Sequence, residues 1–99
     1  MSWTGFTYGP LKIVHHEARF IKLGDKVIQL GERKYRTLIC LMAALGGWVT
    51  KNYIGRQKFS RNVRLQICLL RKILEGTSLR IESGEYGYYR LIFDEPSIL

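Results

Sequence analysis

The sequence predicts an α+β domain made of an N-terminal antiparallel β-sheet, three helices and a C-terminal β-hairpin. Three observations carry this. The first thirty residues are short β-branched or aromatic runs separated by turn signals, apolar residues then recur at spacings of three and four from Glu32 to Glu75, and strand-like runs return after Gly76. At 99 residues the chain matches one domain spanning 1–99, because a second would leave neither half with a core of its own. A hydrophobic content of 46% with 24% charged residues excludes disorder along most of the chain.

Taken in order, Leu11-Lys12-Ile13-Val14, Arg19-Phe20-Ile21-Lys22-Leu23 and Lys26-Val27-Ile28-Gln29-Leu30 read as strands. The turns His16-Glu17 and Gly24-Asp25 connect them as a meander, with a candidate earlier strand at Phe6 to Tyr8 broken by Gly9-Pro10. From Glu32 to Leu45 the stripe Tyr35, Leu38, Met42 and Leu45, widened by Ile39 and Leu41, marks a helix that Gly46-Gly47 stops. Trp48-Val49 is a short extended piece. Thr50 is an N-cap for a short helix from Lys51 to about Lys58, with Tyr53 and Ile54 expected to face inward. Ser60 is expected to cap the third helix, Arg61 to Glu75, with Val63, Ile67, Leu70 and Leu74 on its inner stripe and Arg61, Leu65, Cys68 and Lys72 opposite. Arg64 and Arg71 fall on one flank and Asn62 and Leu69 on the other, and Gly76 ends the helix. Leu79 to Glu82 and Tyr88 to Ile92 then form a hairpin across Ser83 to Gly87, followed by a polar tail over 93–99.

The formal charge is +8, from sixteen Lys and Arg against eight Asp and Glu. Its placement says more than its total. No acidic residue lies between Glu32 and Glu75, where Arg33, Lys34, Arg36, Lys51, Arg56, Lys58, Arg61, Arg64, Arg71 and Lys72 all fall. A solvated face normally mixes both signs, so this basic middle points to an acidic partner, nucleic acid first. The longest apolar run, Leu38 to Leu45, is far short of the roughly 20 residues of a bilayer span, and no secretory signal opens the chain. Cys40 and Cys68 make no disulfide framework and have no partner at metal-ligand spacing, so they read as reduced, inert thiols in a cytoplasm. His15-His16 has no carboxylate or nucleophile beside it; no catalytic residue, metal or cofactor is expected, and the chain reads as a non-enzyme.

Two helices joined by a tight connection, the second basic on its outer face, form the pattern of a helix-turn-helix, and a hairpin directly after it would be a wing. With the N-terminal sheet included, the chain resembles the OmpR/PhoB-type winged helix, the DNA-binding effector domain of bacterial response regulators. Tyr8 to Leu30 is similar to that family's N-terminal sheet, Glu32 to Leu45 to its first helix, and Val49-Thr50-Lys51 to its connector. Val63 to Leu74, with Leu70-Arg71-Lys72, resembles its recognition helix, and Ile81 to Tyr88, with Gly87-Tyr88, resembles its wing. The resemblance covers about 8–91, with no receiver domain before it. Leu69 stands where several members carry a base-contacting Arg, Arg64 where an acid is frequent, and Ser83-Gly84-Glu85 in place of the usual wing Arg.

The resemblance implies a sequence-specific, double-stranded DNA-binding regulator of transcription in a bacterial or phage-type, nucleoid-associated setting. The third helix would lie in the major groove. Arg64, Leu65, Gln66 and Leu69 are then candidates for base edges, and Lys51, Lys58, Arg61, Arg71 and Lys72 for phosphates. Asn62 and Cys68 complete that surface, and Ser83, Gly84 and Tyr86 form the wing contact. Tyr86, Tyr88 and Tyr89 either pack on the sheet or stack on bases. Leu65 and Leu69 meet either thymine methyls or another protein. The alternative is therefore a winged-helix module that binds a component of the transcription machinery. With almost no chain expected between the second and third helices, polymerase recruitment from that loop is not expected. Action by promoter occupancy is, or by self-association or joining another DNA-bound protein, for which the sheet around Trp3, Phe6 and Phe20 is a candidate surface.

Overall fold

The computed structural model describes residues 3–55 and 62–94. Strands β1 (Thr7–Tyr8), β2 (Leu11–His15), β3 (Phe20–Leu23) and β4 (Lys26–Gln29) form a four-stranded antiparallel meander in that order. Alternation along β2 and β3 buries Leu11, Ile13, Ile21 and Leu23 on one face and leaves Lys12 and Lys22 on the other. The register slips between Ile13 and His15, so Val14 is an extra residue in β2; it is 39% exposed and the strand runs one residue further than the sequence predicts.

Helix α1 (Glu32–Ala43) lays Tyr35, Leu38, Leu41 and Met42 into the core. It stops before Leu45, which turns left-handed at φ 50 and is exposed rather than part of the inner stripe. Hydrogen bonds from Leu45 N–H to Met42 O and from Gly47 N–H to Ala44 O close the end, so the chain leaves the helical path two residues earlier than the apolar spacing suggests. Strand β5 (Val49–Thr50) leads into helix α2 (Lys51–Gly55), whose expected cap is present, with Tyr53 N–H donating to Thr50 Oγ1. Ile54 is buried as expected, but Tyr53 is 53% exposed, because among Lys51 to Ile54 only Ile54 turns toward the core.

Helix α3 (Val63–Leu74) starts two residues later than expected, from Asn62 in a left-handed conformation with no side-chain cap. The expected extension of α2 to about Lys58 and the minimal turn after it lie outside the described residues. The expected cap at Ser60 and the candidate contacts Lys58 and Arg61 lie outside the described residues, as does the tail beyond Asp94. Gly76, at φ 83, ends α3 as predicted. Strands β6 (Leu79–Ser83) and β7 (Tyr88–Phe93) pair from Leu79↔Phe93 to Ser83↔Tyr89, and β5 joins β7, giving a second antiparallel sheet ordered β5-β7-β6.

The core lies between the sheets and the helices. Leu38 and Leu41 of α1, Ile67 and Leu70 of α3 and Leu91 of β7 are almost fully buried, each contributing about 1.5–3 kcal/mol. The sheets meet where Tyr8 OH donates to Leu91 O at 2.6 Å and the Tyr8 and Phe93 rings pack edge to face. A Cβ on Gly9, which sits at φ 59, would come within 2.7 Å of the Phe93 ring, so only glycine allows this approach. The protein is therefore a mixed α+β fold with antiparallel sheets and, among the described residues, three α-helices. Among the described residues no helix is long and apolar enough to cross a membrane.

Candidate functional site

The chemistry concentrates where α2, the start of α3 and the β6–β7 hairpin converge. Thr50 fixes the first turn of α2 and so aims Lys51 and Asn52 toward the end of α3 that begins at Asn62. There Lys51, Asn52, Asn62, Val63, Arg64, Gly87 and Tyr89 line one polar cavity of about 360 Å³. Gly87 makes this convergence possible. It sits at φ 74, and a Cβ there would lie 3.0 Å from Lys51 Cδ, so the lysine stem runs directly over the glycine.

Charge pairing divides the cations into two groups. Arg90 Nε donates to Glu82 Oε1 at 2.6 Å and Arg80 pairs with Glu82 and Asp94, so the acids of the hairpin region neutralise its own arginines. Lys51, Arg64 and Lys72 have no carboxylate partner among the described residues. A cavity lined by two such cations and two amide side chains, at the positive end of a twelve-residue helix, suits an anion.

Along α3, Arg64, Leu65, Cys68 and Lys72 are exposed, as the wheel predicts. Three neighbours depart from it. Gln66, expected beside the outward face as a base reader, is only 6% exposed and cannot present its amide there. It lies three residues after Val63 and four before Leu70, and the helix packs on that flank, which also half-buries Leu69 and Ile73. Leu69 is thus less available than expected, whereas Leu65 is 48% exposed. Arg71 is an exposed residue, but its guanidinium is engaged: Nε and Nη2 donate to Ile81 O at 3.2 and 3.0 Å, and Nη2 to Ser83 Oγ at 2.6 Å. It ties α3 to the edge strand β6 and occupies the Ser83 hydroxyl, both of which the sequence assigns to DNA.

The hairpin loop is short. Gly84 N–H donates to Tyr88 O, and a 3₁₀ turn over Glu85–Gly87 places Tyr86 at its tip, left-handed and 89% exposed. Gly84 packs on Trp48, where a Cβ would meet the indole at 2.9 Å. Elsewhere, His15 Nδ1 accepts from Ala18 N–H and His16 Nδ1 pairs with the Tyr35 hydroxyl at 2.7 Å, so both histidines have structural partners. Burial pushes the Cys40 thiol above its ordinary pKa, which keeps it protonated and unreactive, while Cys68 is exposed on α3.

Comparison with protein-family models, curated proteins and solved structures finds no match to this chain. The site therefore rests on its own geometry. Asn52 and Trp48 belong to it without having been assigned a contact from the sequence: Asn52 follows Lys51 within the same turn, which is a usable signal, but the approach of Lys51 and Trp48 to the hairpin is a tertiary fact.

Proposed function

We propose that the chain is a winged helix that binds double-stranded DNA and regulates transcription, with α3 in the major groove and the β6–β7 hairpin as the wing. The observation that carries this is the pair Lys51 and Arg64, which share one polar cavity without a carboxylate partner among the described residues. That cavity adjoins a helix face of Arg64, Leu65, Cys68 and Lys72 with no acidic side chain on it. A major groove about 12 Å wide admits one helix, and a phosphate at its edge would occupy the cavity while Leu65 meets a thymine methyl. Arg64 stands between the two roles, and Lys72, at the far end, favours the backbone.

Salt-titrated binding to duplex DNA tests the reading. Lys51, Arg64 and Lys72 alone account for a slope of log K against log salt of about −2.7, at about 0.9 per phosphate. Lys51→Ala is expected to flatten the slope by about 0.9 and weaken all sequences alike, as is Lys72→Ala, whereas Arg64→Ala also relaxes the preferred sequence. A slope near zero refutes DNA binding. It would favour the second reading, a module that holds a component of the transcription machinery, for which exposed Leu65 among cations is the supporting observation.

A further inference from the structure

We infer that the outer face of the hairpin sheet carries a second nucleic-acid site, a stacking dish for one unpaired, amino-bearing DNA base, formed by Trp48, Tyr86 and Tyr88 with Glu85 as its hydrogen-bond acceptor. The dish is an open depression of about 360 Å³ lined by Trp48, Gly84, Glu85, Tyr86 and Tyr88. It lies across the four-residue loop 84–87 from the Lys51 and Arg64 cavity, to which Gly87 contributes. Register explains the aromatic face. Val49 pairs with Tyr89 and Thr50 with Tyr88, so Tyr88 and Arg90 point away from buried Tyr89 and share the solvent side with Trp48.

Burying an indole stabilises a fold, yet this one is 46% exposed and held in place. Arg90 sits 4.5 Å from its ring centroid, Glu82 anchors Arg90, and Gly84 receives the ring edge. Such bracing removes the ordering cost of a stacking wall before a ligand arrives. Tyr88, 40% exposed, and Tyr86 complete a lining whose flat surfaces suit a planar ring.

Charge selects the occupant. A second copy would bring another chain of net charge +8 against this one, whereas a DNA strand supplies phosphates to Lys51, whose stem already lies on the loop. Ionised Glu85 can only accept, so it favours a base with an exocyclic amine (cytosine, adenine or guanine) over thymine, whose one ring N–H lies between two carbonyls. The inference rests on the nucleic-acid reading of Lys51 and Arg64 and extends it to unpaired strands.

The test uses the Trp3→Phe chain, which leaves Trp48 as the sole tryptophan. Short single strands of cytosine, of thymine and of abasic residues, equal in length and charge, are titrated beside a paired duplex, following affinity and indole emission. Cytosine strands are expected to bind about 5- to 150-fold tighter than abasic ones and to quench Trp48. Tyr88→Thr, which puts a strand-favouring side chain without a ring in β7, should remove that gain. Glu85→Gln should narrow the cytosine-over-thymine preference. Equal binding of cytosine and abasic strands with unquenched emission, while duplex binding keeps its salt slope, overturns the dish alone. Loss of both duplex and single-strand binding overturns the proposed function as well. Emission that changes with protein concentration in the absence of DNA would assign the face to a second copy and overturn the inference.

Discussion

Replacing Arg71 with methionine keeps an unbranched aliphatic stem and removes the guanidinium that binds Ile81 O and Ser83 Oγ. Because β6 is the edge of the sheet, the Ile81 carbonyl then has no strand to turn to on that side. Both contacts to Ile81 come from one group, so they count as one charge-assisted interaction, at the low end of about 1.5–3 kcal/mol because Arg71 is exposed. The Ser83 contact, also exposed, adds about 0.5 kcal/mol at most. A loss of about 1.5–2 kcal/mol corresponds to a fall in Tm of about 6–16 °C for a domain of this size. Thermal unfolding followed by circular dichroism measures it. Arg71→Lys should recover little, since an ammonium cannot span both acceptors. A Tm within about 2 °C of the parent, with a salt slope for DNA flattened by about 0.9, would refute this reasoning and return Arg71 to the phosphate contacts.

Gln66→Met should stabilise the chain by about 1 kcal/mol, because the buried amide has no hydrogen-bond partner among the described residues; chemical denaturation checks it, and destabilisation with altered sequence preference would return Gln66 to base reading. Gly9→Ala and Gly24→Ala share nearly the same left-handed strain at φ 59 and 58, but only Gly9 faces the Phe93 ring, so its variant should be the less stable by about 1–2 kcal/mol; equal losses would mean the ring yields freely. Desolvation raises the pKa of Tyr8 and of Tyr35 above 10.0, outweighing nearby Arg90 and Arg36 respectively, so the folded state holds those protons after the unfolded chain has released them. Stability should be full below pH 10 and fall as pH rises above it, and Tyr8→Phe should reduce that fall in denaturation curves.

The strands and helices were legible because each has a periodic signal that tertiary contacts reinforce. Leu11, Ile13, Ile21 and Leu23 alternate, and Ile67, Leu70 and Leu74 recur with the helical turn. Boundaries failed where a single residue leaves the regular path, as at Leu45 and Asn62, both left-handed without being glycine. A polar type gives no warning of burial either: Gln66 reads as a surface residue from its chemistry and as a core neighbour only from its spacing to Val63 and Leu70. The outward face of α3 was legible for the same periodic reason. Arg71 was not, since its role depends on a strand ten residues away in sequence.

The short segment from Trp48 to Lys51 explains why both candidate sites flank one loop. Trp48 takes the edge of Gly84 on one side of the hairpin, and Lys51 runs over Gly87 on the other, so the loop is held at both of its ends by one stretch of chain. Val49 and Thr50 pair with Tyr89 and Tyr88 between them, which fixes the register of that grip. Thr50 at the same time caps α2, so one residue pairs its backbone with the hairpin and sets the direction of Lys51 with its side chain. Displacing the loop must therefore disturb the indole and the lysine together. A strand with its phosphate at Lys51 would find the dish already formed, because Arg90 and Glu82 hold Trp48 independently of any ligand.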